Sequence, residues 1–492
     1  MSHIMAIDQG TSSSRVIIFD VQGRVLSAAS HEFDMSFPND GWVEQDPDVL
    51  WRTSLLAGRE ALHEAGLEGK DIAAIGITNQ RETTLVWDRV SGECLHPAIV
   101  WQDRRTADVC AAMRDAGMQQ DVTRISGLVI DPYFSGTKLA WLLDNVPGAR
   151  RKAESGELCF GTVDTYLIWR LTKGASHATD ATNASRTMLF DIEAQTWSAE
   201  MLEHFRIPEA ILPAVLDSAA EFGAADPEWF GAEIPILGVA GDQQAALIGQ
   251  ACFAEGMVKS TYGTGCFLMA NTGEVPVRSG HQLLTTVAYR LKGRATYALE
   301  GSIFSAGVAV KWLRDQLGLI TDAAETEAAA RRTGGNAHGV YLVPAFTGLG
   351  APHWAPDARG MFSGMTLDTG RDHLITATLA SVGYQSVELA DAVAADGASF
   401  DQLRVDGGMV VNDWLCQFLA DMLDRPVERP VIVETTALGA AVLAALGGKL
   451  VADLDSARAM WGLEREFVPA MGPAERERLL TGWRKAVARS LL

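Results

Sequence analysis

Cysteine is scarce in this chain of 492 residues. The six, Cys94, Cys110, Cys159, Cys252, Cys266 and Cys416, are scattered, and no two are spaced as CxxC. That scatter argues against a zinc ribbon or a disulfide framework and fits a reducing compartment. Cations are also in short supply: Lys and Arg total 41 against 62 Asp and Glu, a formal net charge of −21. A field of that sign repels nucleic acid and anionic lipid over most of the surface, so neither is expected as a partner. Long apolar runs are missing as well. The longest, around Ala437–Leu446, is about half of the roughly 20 residues a membrane span needs. The first residues lead straight into an apolar strand with no basic stretch or cleavable apolar segment, which sets the expectation of a cytoplasmic protein. Two nucleotide signatures are absent too. No GxxxxGK[ST] occurs and no complete GxGxxG follows a strand, which removes the ordinary P-loop and the simplest dinucleotide reading.

What is present is an ordinary globular composition, 48% hydrophobic and 21% charged, on a chain too long for one core. Two large domains are expected, divided near Gln250 into 1–250 and 251–492. No low-complexity linker marks the division, so the two parts should share an extensive contact.

The most informative segment is Asp8-Gln9-Gly10-Thr11-Ser12-Ser13-Ser14-Arg15, between the apolar runs Ile4–Ile7 and Val16–Phe19. It reads as strand, polar turn, strand. Gly10 lets the backbone approach a ligand, and amides and hydroxyls can then surround phosphate oxygens. An anionic carboxylate repels phosphate, so Asp8 is expected to face a divalent metal. The plainer reading is a hairpin turn that happens to be rich in Ser and Thr.

The same pattern recurs later. Met257–Thr261 is a strand, Tyr262-Gly263-Thr264-Gly265 a turn and Cys266–Ala270 a strand. In the first half a helix begins at Asp46-Pro47, runs to about Ala65 and feeds a buried strand at Ile72–Ile77. In the second, a helix over Asp372–Ala395 feeds a strand at Leu403–Val405, closed by Asp406-Gly407-Gly408. Without any literal repeat, this is a duplicated topology: two halves whose Gly/Thr turns face one ligand across a cleft.

Three further segments carry chemistry. Asn79-Gln80-Arg81-Glu82-Thr83 follows a buried strand, where five polar residues are costly unless paired or binding. Arg81 and Glu82 offer a donor fork and an acceptor pair suited to neighbouring hydroxyls, at the strand end where open α/β sheets bind ligands. Asp242-Gln243-Gln244 follows the strand Ile236–Val239. Locally Asp242 reads as a helix N-cap; chemically it reads as a general base that accepts a hydroxyl proton during phosphoryl transfer. Trp101 and Tyr133 can supply an apolar wall and a phenol, although either alone would more often be core or turn.

Together these segments resemble the FGGY carbohydrate kinases of the actin/hexokinase/heat-shock-70 ATPase superfamily, and in particular the members that phosphorylate glycerol. The resemblance runs nearly end to end. It rests on Ile7-Asp8-Gln9-Gly10-Thr11, Thr78 to Thr83, Val100 to Thr106, Asp131 to Trp141, Ala240 to Gln244, Thr261 to Phe267, Leu299 to Ser302 and Val405 to Gly408, in that order. It implies an α/β fold of two ribonuclease-H-like domains with the active site in the cleft between them, ATP and Mg2+, and glycerol as the acceptor. By the same resemblance Arg81, Glu82, Tyr133, Asp242 and Gln243 hold the hydroxyls, and Trp101 and Phe267 pack on the carbon face. Asp242 is the base. Thr11, Ser12, Ser13 and Arg15 cradle phosphates, and Asp8 with Asp242 holds the metal. Thr264, Gly307, Lys311, Gly408 and Asn412 line the nucleotide site, Lys311 standing where the family usually has Gln. A dimer is implied. Regulation by fructose 1,6-bisphosphate is not expected, because Asp217–Glu233, ahead of Ile234-Pro235-Ile236, holds no Lys or Arg. Two other readings compete: a kinase for a related polyol or ketose, and a non-catalytic actin-like ATP-binding protein.

Overall fold

The computed structural model describes residues 2–355 and 357–492. Two mixed sheets organise them. In the first, His3–Gln9, Ser13–Asp20 and Val25–Glu32 form an antiparallel meander. Ile72–Asn79 then lies parallel to His3–Gln9, Ile234–Gly241 lies parallel beyond it, and Ala224–Ala225 closes the edge. In the second sheet Met257–Tyr262, Cys266–Gly273 and Arg294–Ile303 form the meander. Gln402–Asp406 is parallel to Met257–Tyr262, with Val427–Pro430 beyond it; Leu284–Leu291 and Leu463–Phe467 extend the edges. The five-strand order is the same in both, so the duplication expected from the turns is present in the topology.

Local chemistry sets the elements. Asp46 accepts the amide of Asp48 at 2.9 Å, Pro47 starts the helix Pro47–Ala65, and Gly66 ends it at φ 66°. This helix covers one face of the first sheet, burying Leu50, Trp51, Ala57 and Ala61 against Met5, Ile7, Ile75 and Ile77. The opposite face is covered from the far end of the chain, by the helix Thr435–Gly447, which also packs on Asp242–Gly249. That seam is backbone against backbone. A Cβ on Gly76 would lie 2.2 Å from the Ala440 carbonyl oxygen, one on Gly439 1.8 Å from that of Ala245. Only glycine allows so close an approach. The apolar run of the sequence is therefore this inter-half helix. Among the described residues no helix is long and apolar enough to cross a membrane.

Candidate active site

The first turn is shorter than the sequence suggests. Asp8 is still within its strand and Ser13 already begins the next, leaving Gly10, Thr11 and Ser12. The Gly10 amide donates to the Ser13 carbonyl at 2.9 Å. Three buried glutamines brace the turn: Gln80 Nε2 donates to Gln9 Oε1 at 3.0 Å and to Gln45 Oε1 at 2.9 Å, and Gln45 Nε2 donates to the Thr11 carbonyl. Ser12 is exposed, and Thr11 and Ser13 are partly so. Arg15 crosses to the second half, where Nη1 meets Glu434 Oε1 at 2.5 Å.

Asp8 pairs with Arg15 on one side and Thr78 on the other. No described residue donates a hydrogen bond to its carboxylate. Burial pushes its pKa up to about 7, helped by the nearby charges of Glu434 and Asp242 and opposed by Arg15. A buried carboxylate crowded by two other acids is an oxygen donor that a hard divalent ion suits. Among the described residues no group of three or more metal-ligating side chains closes a cage. One or two carboxylates are a donor set compatible with Mg2+, which keeps several waters and takes phosphate oxygens into its shell.

Asp242 is the first residue of the helix Asp242–Gly249, and Gly241 is the N-cap. The N-cap reading from the sequence is thereby corrected: Asp242 Oδ1 accepts the amide of Gln243, its own neighbour, at 2.6 Å. Its side chain is 35% exposed, so a substrate hydroxyl can reach it. The helix N-terminus beneath it favours negative charge. Behind it, Thr182 Oγ1 accepts the Gly241 amide at 2.9 Å while donating to Asp180 Oδ1 at 2.8 Å, which fixes the strand end.

Arg81 lies at the centre of a buried charge cluster. Its Nη1 and Nη2 donate to the two oxygens of Glu300 at 2.6 and 2.9 Å, and also to Gln244 Oε1 at 3.3 Å and the Tyr133 hydroxyl at 3.2 Å. The four terminal N–H groups of this donor fork are thus committed within the protein. What remains is Nε, 3.1 Å from Asp242 Oδ1 and 3.5 Å from Glu82 Oε1. Glu82 in turn accepts Arg186 Nε at 2.8 Å, and Arg186 Nη2 reaches Glu300 at 3.0 Å. Burial works against the Glu300 charge, but the guanidiniums of Arg186 and Arg81 hold its pKa down at about 2.

Trp101 stands against Tyr133 edge-on, ring centroids 5.5 Å apart, and its Nε1 donates to Thr11 Oγ1 at 2.9 Å. One aromatic wall thus touches both the Gly10–Ser12 turn and the Arg81 cluster. Phe267 is partly buried on the facing strand of the second half. Gln243 is buried, its Oε1 taken by Lys259 Nζ.

In the second half the turn Gly263-Thr264-Gly265 is closed by the helix Gly307–Asp315. The Gly307 amide donates to the Gly263 carbonyl at 3.0 Å, where a Cβ on Gly307 would come within 2.5 Å of that oxygen. Thr264 is exposed. A Cβ on Gly408 would meet nothing within 4 Å, so bare backbone faces open space there. Lys311 is exposed one turn into the helix. Asn412 is already employed: it caps Asp413–Leu423 through the Leu415 amide at 2.9 Å and donates to Thr326 Oγ1 at 3.2 Å.

Three site residues escape a sequence reading: Glu300, Arg186 and Lys259. A signal exists for two of them. Glu300 and Lys259 are charged residues inside apolar strands, and each is fully buried. A buried charge needs a partner, and a cleft between sheets supplies one. Arg186 carries no such local signal.

Comparison with known proteins agrees with this architecture. The models of the FGGY family of carbohydrate kinases match residues 3–249 (N-terminal domain) and 258–447 (C-terminal domain). Glycerol kinase 1 of Pseudomonas aeruginosa is 59% identical over 490 residues, 99% of each chain. The glycerol kinase of Alcanivorax borkumensis is 60% identical over 490 residues, 99% of this chain and 98% of that one. The structure of Plasmodium falciparum glycerol kinase with ADP superposes with a TM-score of 0.93 at 37% identity, over 100% of this chain and 99% of the other. A xylulose kinase from Lactobacillus acidophilus shares the fold at 20% identity, with a TM-score of 0.88 over 99% of both chains. Matched over both halves and through the paired turns, the chain belongs to the FGGY family of carbohydrate kinases.

Proposed function

We propose that the protein transfers the γ-phosphoryl group of ATP to a terminal hydroxyl of glycerol, giving sn-glycerol 3-phosphate and ADP. The observation that carries this reading is the cluster of Arg81, Glu82, Tyr133 and Asp242 behind the Gly10–Ser12 turn, walled by Trp101. It offers hydrogen-bonding groups for hydroxyls, an apolar face and an accessible carboxylate next to a turn rich in amides and hydroxyls. The glycerol kinase names of the relatives support the substrate.

Glycerol would lie with its carbons on Trp101 and Phe267 and its hydroxyls between Arg81 Nε, Glu82, Tyr133, Asp242 and Gln243. Asp242 accepts the proton of the terminal hydroxyl as its oxygen bonds to phosphorus and the bond from phosphorus to the ADP oxygen breaks. Thr11, Ser12, Ser13 and Arg15 hold phosphate oxygens in line. Thr264, Gly307, Lys311, Gly408 and Asn412 receive the rest of the nucleotide, with Asn412 acting through whatever its cap leaves free. Asp8, with Asp242 beside it, would hold Mg2+, which when bound neutralises charge on the transferring phosphates. The limits of the matched family segments support a boundary near residue 250, and on this reading 1–250 supplies most of the acceptor and phosphate contacts and 251–492 the rest of the nucleotide site. Positioning and charge stabilisation are the main demands of phosphoryl transfer, and a closed cleft limits attack by water.

The test is ADP release from ATP-Mg with glycerol, dihydroxyacetone, erythritol, xylulose or no acceptor. Glycerol-dependent release with glycerol 3-phosphate as product is expected. Release only with another polyol moves the substrate. Release independent of acceptor, or none, favours an actin-like binding protein.

A further inference from the structure

Lys259 is a fully buried lysine in the first strand of the second sheet, and nothing in the proposed chemistry uses it. Its ammonium has three N–H groups and three acceptors: Gln243 Oε1, Thr261 Oγ1 at 3.0 Å and the Phe267 carbonyl at 3.3 Å. Gln243 belongs to the first half, and Thr261 and Phe267 to the second. Two residues assigned to acceptor binding, one from each half, are therefore tied to the same cation.

The pairing also dictates which way the Gln243 amide points. An ammonium can only donate, so the atom facing it must be the carbonyl oxygen. The NH2 group is turned away from Lys259, and no described residue accepts from it. The Gln243 backbone N–H meanwhile holds Asp242 Oδ1. Burial lowers the pKa of Lys259, and the nearby charges of Asp406, Asp242 and Glu300 offset part of that lowering against the further opposition of Arg81.

We propose that Lys259 is a positioning residue for acceptor choice: it locks Gln243 as a hydrogen-bond donor toward the cleft, so that the acceptor must present a hydroxyl oxygen there. This rests on the reading of the site as a polyol kinase. An acceptor without that oxygen leaves a buried donor unpaired, which lowers affinity by about 5- to 150-fold.

The experiment measures steady-state ADP release by the full-length protein, with glycerol and ATP varied separately. It compares wild type, Lys259→Met, Gln243→Ala, the double variant and Gln243→Glu. Lys259→Met is expected to raise the glycerol KM by about 5- to 150-fold while the ATP KM stays within about twofold. The double variant is expected to be no worse than Gln243→Ala, because both remove one interaction. Additive losses, or equal losses for glycerol and ATP, would overturn the role. Gln243→Glu keeps an oxygen on Lys259 but has no NH2. It should show the same rise in glycerol KM at an unchanged thermal midpoint, and it decides the matter if Lys259→Met fails to fold; an unchanged KM overturns the proposal. Wild-type protein without glycerol-dependent release overturns the glycerol reading instead, and the same variants are then compared on the polyol that does support release.

Discussion

The two sheets place an Asp and a Thr side by side at the same register, but in opposite order. In the first, Asp8 lies on the leading strand beside Thr78; in the second, Thr261 lies on the leading strand beside Asp406. The surroundings of the two carboxylates then diverge. Asp406 accepts Gln250 Nε2 at 2.8 Å and Thr435 Oγ1 at 2.6 Å. Burial still raises its pKa, but its oxygens are occupied by the protein. Asp8 has no such donors and sits near two further acids. The same pair of strands carries, in one half, a carboxylate satisfied by the protein and, in the other, one to which no described residue donates a hydrogen bond.

The largest effect expected tests the chemical half. Asp242→Asn should lower turnover by about 10^2- to 10^4-fold with little change in glycerol binding. Unchanged phosphorylation in a single turnover would remove Asp242 from the base role. Next comes the pair that puts the comparison itself at risk. Asp8→Asn should cut turnover at least tenfold and raise the Mg2+ requirement while leaving the thermal midpoint intact or higher, a tenfold loss being ~1.4 kcal/mol of barrier. Asp406→Asn should do the reverse, lowering stability by about 1–3 kcal/mol through its lost acceptors and sparing turnover. Parallel behaviour of the two variants would abolish the distinction.

Glu300→Gln should weaken both stability and glycerol affinity, since it uncouples Arg81 from Arg186. Its pH dependence has a defined sign. The folded pKa of about 2 lies below the ordinary 4.5, so the stabilisation is complete above pH 4.5 and disappears as pH falls toward 2. The gap in urea midpoint between wild type and Glu300→Gln should therefore narrow steadily from pH 5 to pH 3. The smallest effect belongs to Lys311→Gln. An exposed cation at the rim should change the ATP KM by no more than about threefold, consistent with ~0.5 kcal/mol for a surface position.

Local signals made much of this legible. Asp46 and Pro47 announce a helix whose start and end the structure reproduces, and the two Gly/Thr turns announce the duplicated meanders. Of the residues named from the sequence, Thr11, Trp101, Tyr133, Arg81 and Asp242 form one chain of contacts. What stayed hidden depends on pairs far apart in the chain. Arg81 meets Glu300 only once the two halves are assembled, and Arg186 meets Glu82 only once distant parts of the first half are folded together, so the Arg81 fork read from the sequence is already filled. Asn412 shows the complementary limit: the residue type suits ligand or cap equally, and only the Leu415 amide reveals which contact it makes.

The glycine seam has a consequence for how the protein is made. The face of the first sheet that bears Gly76 is covered by a helix that leaves the ribosome roughly 190 residues after Gly249. At translation rates of about 5–20 residues per second, that face waits on the order of ten to forty seconds for its cover. Throughout that interval the nascent first half is an incomplete body with Ile4, Ala6 and Ala74 unshielded. A fragment ending at residue 250 should therefore bind holding chaperones or aggregate, and regain a native fold when the remainder is supplied in trans.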